Sequence, residues 1–404
     1  MSTKPRHPHP ALFMLLIIPF GVLGGYLSVC LGYQYSKAGV AVEQIAGLIA
    51  LGLAPHAWKF LWAPVADTTL SRKRWYAITC VLTSVGIFAT GVLPVAVSSL
   101  PLLTVIVLVS NIASTFLGMA VESMMAYGTP ENEKGRAGGW FQAGSLGGGG
   151  LGGGLGLALA QRLPAPWMAG AIVGALCLAC MLVLFFIEEP QATHRHPRMI
   201  DSLKFVGADV WEVARSRMGF LALCLCFTPL GSGAASGLWS AVAKDWSASA
   251  DTVALVTGLL AGVVSAAGCL AGGWMSDRMD RKLSYVVYSV FLALCAALMA
   301  WAPHSETNFI IFTTVYAFIS GLTYAGFSAF VLEAMGMGAA ATKYNVFASL
   351  SNMPILYMTK VDGWAHTHYG PSGMLYIEAL SGVVGFVVFM GILKAMPNRD
   401  TATA

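Results

Sequence analysis

Of 404 residues, 57% are hydrophobic and 10% charged, with a formal net charge of +4. A water-soluble chain carries about a quarter of its residues as Asp, Glu, Lys and Arg, so most of this surface faces lipid. That excludes a soluble domain, and no nucleic acid is expected as a partner.

Met1 to Pro10 is polar and weakly basic through Lys4 and Arg6, and the apolar run from Ala11 then continues past Gly32. It is long enough to cross a hydrocarbon core of ~30 Å and too long for a signal h-region, so it reads as a first span that stays in the membrane. Apolar windows place further spans at 44–66, 76–97, 102–127, 139–161 and 166–188, then 218–242, 252–275, 283–302, 308–333, 343–364 and 372–396. Each is helical, because lipid offers the backbone no hydrogen-bond partners. The expectation is an all-α membrane protein of about twelve transmembrane helices in two six-helix halves: residues 1–188, a cytoplasmic linker 189–217, and residues 218–404. Within the linker, Ile200, Leu203, Phe205, Val206, Val210 and Trp211 are spaced for an amphipathic helix on the membrane surface. With the N-terminus inside, Lys and Arg number eighteen in cytoplasmic segments against three outside (Lys37, Arg162, Lys244). Positive residues stay inside, which places both termini in the cytoplasm.

Charged landmarks repeat. Asp67 and Asp277 are 210 residues apart, each followed by a basic run (Arg72-Lys73-Arg74; Arg278, Arg281-Lys282), and Glu122 and Glu333 are 211 apart. Two displacements agreeing within one residue mark a duplicated unit.

Charges inside spans are costly unless paired or wetted, so each is a candidate functional group. Glu122 and Glu333, near cytoplasmic helix ends, are expected in gating ion pairs with Arg136, Arg72 or Arg278. Lys59 either snorkels to the interface or pairs with Glu122 or an anionic solute. Lys360 and Glu378 are opposite in sign at similar depth and are expected to pair. Glu378 is also the first choice for carrying a proton, since a carboxyl in low dielectric takes one up more readily than in water; His56 is a weaker choice. The eight cysteines, Cys177-x-x-Cys180 included, lie in or beside apolar stretches and read as small apolar filler. The run Gly147 to Gly156 lacks the Lys-Ser/Thr of a phosphate loop and sits inside a span, where closely spaced glycines let helices approach. No nucleophile–base or metal-ligand cluster stands outside the spans, so no enzymatic activity, metal or cofactor is expected.

Gly273-x-x-x-Asp277-Arg278-x-x-Arg281-Lys282 resembles the loop signature between the second and third helix of a half in the major facilitator superfamily. His56-Ala-Trp-Lys59-Phe-Leu-Trp62-Ala-Pro64-Val-Ala-Asp67 resembles a narrower group, the AmpG-type permeases and acetyl-coenzyme A transporters, as do Ala120-Val-Glu122, Pro130 to Arg136 and Glu188-Glu189-Pro190. Glu122 stands where that group commonly has Asp, a carboxylate expected one turn earlier falls on Gly118, and the chain is shorter than typical AmpG proteins. The resemblance implies the major facilitator fold and proton-driven import of a bulky polar solute such as an anhydromuropeptide, by a monomer in the inner membrane. It also implies a cavity lined by spans 1, 4, 7 and 10, with Tyr26, Asn111, Ser114, Thr115, Trp239, Tyr316 and Tyr324 as candidates, joined by Asn352 and Tyr357 of span 11. Asp67, Arg72, Asp277, Arg278 and Arg281 would gate it. Siderophore import, efflux on the same fold and a non-transporting sensor remain the alternatives.

Overall fold

The computed structural model describes residues 8–129, 134–189, 200, 204, 207–208, 211, 215, 217–276, 278–335 and 346–395. Among these, eight helical stretches are long and apolar enough to cross a membrane, and the eighth, Val346–Lys394, holds two passes. Three further passes are short, interrupted or glycine-rich, giving twelve helices among the described residues. In the first half these are α1 (Ala11–Lys37), α2 (Val42–Trp58), α3 (Arg72–Val92), α4 (Leu100–Gly128), α5 (134–162) and α6 (Pro166–Phe186). In the second they are α7 (217–246), α8 (Ala250–Ser276), α9 (Arg281–Trp301), α10 (Glu306–Met335), α11 (346–369) and α12 (371–395). An even number of passes puts the first and last described residues on one face, here the near face; the other is the far face.

Local sequence explains the breaks. The span expected at 44–66 leaves α-geometry at Lys59, passes through a single tight turn (Lys59–Leu61) and restarts at Ala63 with Pro64 in its first turn, because proline favours a helix start and cannot continue one. α7 is helical over Arg217–Leu225 and resumes at Ala234; between them Gly231 (φ 66°) and Gly233 (φ 64°) take left-handed conformations. Ser71 accepts the Arg74 N–H at the start of α3, and Asp280 accepts those of Lys282 and Leu283 at the start of α9, so duplicated positions carry duplicated caps. Of the linker, the described residues Ile200, Lys204, Trp211 and Arg215 are helical and exposed, with the Arg215 guanidinium 5.1 Å from the Trp211 ring. The other apolar positions of that face, Leu203, Phe205, Val206 and Val210, lie outside the described residues.

Gly370 separates α11 from α12 at φ 73°, ψ −176°, followed by Pro371. Glycine alone is at ease there, so Gly370→Ala is expected to cost about 1–3 kcal/mol, read as a lower thermal midpoint in detergent.

Packing repeats along with sequence. α2 on α4, α3 on α4 and α3 on α6 recur six helices later as α8 on α10, α9 on α10 and α9 on α12. Near the terminus-bearing face each half has its own core. Phe13, Leu16, Tyr76, Val121 and Ile187 belong to one, and Leu221, Tyr285, Phe330, Phe347 and Phe389 to the other. Phe60, just past α2, reaches across to the second. Toward the far face a single core joins both halves, with Leu27, Tyr35 and Ile49 packed in one cluster with Trp239, Trp246 and Leu292. Outward faces of the helices expose large apolar side chains, among them Phe185, Leu270 and Trp301, as a lipid-facing wall requires.

Candidate functional site

The far-face closure is built from small residues and short polar contacts. The Ser36 hydroxyl donates to the Ala241 carbonyl and the Ser240 hydroxyl to the Ser28 carbonyl, tying α1 to α7. A Cβ on Gly363 of α11 would strike Ala46 of α2. Gly258 of α8 lies where a Cβ would meet Gly154 of α5 at 2.6 Å. At the rim Arg162 and Asp251 form an exposed 2.9 Å ion pair between the halves. Beside it, Glu306 at the start of α10 accepts from the Thr252 hydroxyl and the Ser249 N–H.

Nearer the terminus-bearing side, α2 and α4 form a polar wall. His56 Nε2 lies 3.2 Å from Asn111 Oδ1, Lys59 Nζ donates to Glu122 Oε1 at 3.2 Å, and Trp62 Nε1 donates to Thr115 Oγ1 at 3.0 Å. His56, Lys59 and Trp62 follow one another at three-residue spacing and present one face. The Lys59 and Glu122 side chains keep 17% and 28% exposure, so the pair is neither sealed nor freely hydrated. Phe20 packs edge-on against His56, and a Cβ on Gly118 would press on the Phe20 ring at 3.3 Å. Glycine at 118, in place of a carboxylate, therefore gives that ring its seat.

A second cluster lies inside the second half. Glu378 of α12 is 5% exposed and its Oε1 accepts the Tyr316 hydroxyl at 2.7 Å. The Asp362 carboxyl of α11, fully buried, lies against it. Among the described residues, both oxygens of Asp362 and Oε2 of Glu378 meet no N–H or O–H donor. Tyr316 in turn packs edge-on against Trp239, ring centroids 5.2 Å apart. The expected Lys360–Glu378 pair is replaced by this arrangement. Lys360 is exposed, and standing two residues before Asp362 it lies about 200° around the helix. Sequence reasoning missed Asp362, although a signal was there. Asp362 and Glu378 each stand eight residues from Gly370, so antiparallel helices leaving that turn bring them level, about 12 Å along each axis.

The remaining candidates are scattered. Arg72 stacks over Tyr127 at 4.6 Å while its backbone N–H donates to Glu189, and Arg278 stacks over Trp274 at 3.9 Å. Glu122, expected opposite Arg72, Arg136 or Arg278, meets Lys59. Asp277 and the side chains of Asp67, Arg136 and Glu333 lie outside the described residues. Tyr26, expected in the cavity, is buried within the first half against Gly156 of α5 and Gly170 of α6. Asn352 bonds back to the Ala348 and Ser349 carbonyls, Tyr357 donates to the Phe227 carbonyl, and Tyr324, half exposed, accepts from Gln142 of α5 at 3.4 Å.

The sequence profile of the Major Facilitator Superfamily matches residues 11–357. The chain belongs to the major facilitator superfamily. Solved members of like fold include a point mutant of the nucleoside transporter NupG (TM-score 0.72, 16% identity, 95% of this chain and 98% of that one). A D-xylose–proton symporter aligns at 0.72, 14% identity, with 96% and 98% covered. The xylose transporter XylE from E. coli, in a partially occluded inward open conformation, aligns at 0.71 with 12% identity over 97% and 99%. At these identities the likeness carries the fold. No curated protein matches the chain in sequence. The superfamily's twelve-helix architecture agrees with the repeat offsets in the sequence and with the six-helix recurrence in packing.

Proposed function

We propose that the protein is a secondary active carrier of the inner membrane, with both termini cytoplasmic, that imports a bulky polar or amphipathic, partly anionic solute with protons. The observation that carries this reading is the division of the core: one shared cluster toward the far face, two separate clusters toward the near face. A carrier working by alternating access has one such seam closed while the other parts. A charged pair at intermediate exposure on α2 and α4 suits a solute with an anionic group, since Lys59 is held by one carboxylate that a second can displace. The likeness of His56–Asp67 to AmpG-type permeases favours a muropeptide-like solute, and the fold shared with a D-xylose–proton symporter is in keeping with proton coupling.

Right-side-out vesicles containing the protein are expected to take up radiolabelled anhydromuropeptide saturably, and a protonophore is expected to abolish accumulation. Accumulation that ignores the protonophore would remove proton coupling. Lack of uptake by inserted protein would remove the muropeptide and turn the choice to siderophores or efflux.

A further inference from the structure

The buried acid pair and the far-face closure are joined by one short piece of chain. Ala234 and Ala235 lie beside the Glu378 carboxyl, where α7 packs on the α11–α12 hairpin. They open the tight turn Ala234–Leu238, which runs directly into Trp239–Val242. That segment carries Ser240 and Ala241, the residues bonded to Ser28 and Ser36 of α1. Before it stand the two left-handed glycines, Gly231 and Gly233, which disconnect it from the near part of α7. The far part of α7 is thus a separately hinged piece, touching the acid pair at one end and the opposite half at the other.

The pair itself is a built site. Asp362 is fully buried, and among the described residues neither of its oxygens meets a donor. Besides the two acids, the titratable groups that face the cluster are Tyr316 of α10, Tyr357 of α11 and Cys295 of α9. α7 contributes backbone, and among the described residues no Lys, Arg or His offsets the charge. Two carboxyl groups in contact without a cation repel when both are ionised, whereas one hydrogen between them makes a charge-assisted bond.

We propose that Asp362 and Glu378 hold the coupling proton between them, and that this shared proton keeps the far part of α7 docked on α1. The inference rests on the reading of the chain as a proton-coupled carrier and names the site that reading requires. The step is a simple protonation: one proton enters, one carboxyl O–H donates to the other carboxylate, and on release the two carboxylates separate. Separation disturbs the Ala234–Ala235 end of the hinged piece, and with it the bonds of Ser240 and Ala241 to α1.

The test uses spin labels on Lys37→Cys and Lys244→Cys, both exposed at the far ends of α1 and α7, with Cys180, Cys224 and Cys269 replaced by Ala, in lipid nanodiscs. The label separation is expected to be short at low pH and to lengthen as pH rises. In the Asp362→Asn/Glu378→Gln variant, whose two uncharged amides cannot repel each other, it is expected to stay short at every pH. In proteoliposomes the same variant is expected to lose at least about tenfold of both proton-driven accumulation and solute counterflow, because a far face that stays docked blocks exchange. A pH-independent separation in the parent protein, an unchanged response in the variant, or a response to sodium in place of pH would overturn the proposal. Should the double variant fail to fold, Tyr316→Phe, which removes the donor to Glu378, is expected to shift the pH at which the labels part; an unshifted midpoint counts against the site. Proton-driven uptake by a protein whose labels ignore pH sinks this site alone. Solute uptake that ignores the proton gradient sinks the carrier reading it rests on, even with pH-responsive labels.

Discussion

Gly25→Ala should destabilise the folded protein severely, whereas Gly24→Ala, one residue earlier, should leave it unchanged or slightly more stable. A Cβ on Gly25 would be driven into the backbone of Gly149, meeting its carbonyl carbon at 2.7 Å and its Cα at 2.9 Å, while a Cβ on Gly24 meets nothing within 4 Å. The contact belongs to a regular seam. Gly144, Gly148 and Gly152 of α5 press on the carbonyls of Met14, Ile18 and Val22 of α1, with four-residue spacing on both helices. Overpacking a side-chain core costs about 1–3 kcal/mol, and here the obstacle is backbone, which yields least. At Gly24 the change removes a helix-weakening glycine, worth up to about 1 kcal/mol in the other direction. Thermal unfolding in detergent, followed by size-exclusion fluorescence, separates the two. Equal midpoints for both variants would contradict the seam.

Removing either partner of the Lys59–Glu122 pair should stop solute cycling while leaving insertion intact. Lys59→Ala strands a carboxylate with 28% exposure, and Glu122→Gln strands the ammonium. Breaking a fully buried pair costs about 3–5 kcal/mol; the partial exposure here reduces that to roughly 1–3. Uptake should fall at least about tenfold in both variants, because the charge that meets the solute is lost or left without its release partner. The exchange Lys59→Glu/Glu122→Lys discriminates between roles. Restored stability with absent uptake is the expected result, as attraction survives while the ammonium moves to the other helix. Full uptake by the exchanged protein would make the pair a structural strut.

The twelve passes were legible because lipid makes hydrophobicity continuous over each span, and because Asp67/Asp277 and Glu122/Glu333 repeat at nearly one displacement. Lys59 could be matched to Glu122 since few charges lie at that depth. Asp362 was hidden by its neighbourhood: Lys360 two residues away offered an apparent partner for Glu378, and only helix phase turns that lysine outward while Asp362 turns in. Tyr26 was placed in the cavity from its helix alone. A tyrosine on a cavity helix has several faces to choose from, and the glycines at 156 and 170 open the inward one. The break in α7 falls at Pro229, Gly231 and Gly233, residues that interrupt a helix, but which side of it docks on the first half depends on contacts made across the molecule.

Among the described residues three helices carry a wide π-turn, Tyr26–Leu31 in α1, Leu151–Leu155 in α5 and Ala254–Leu260 in α8, and the three meet one another at one level. A π-turn holds one residue more than an α-turn, so beyond it every side chain is advanced by one position, about 100° around the axis. The tips of these helices therefore follow a different apolar phase from their shafts, and a stripe read along α1 from Ala11 points the wrong way by Tyr35. The extra residues also make each tip a register of its own. Absorbing or displacing one such turn would rotate a tip while its shaft kept its packing.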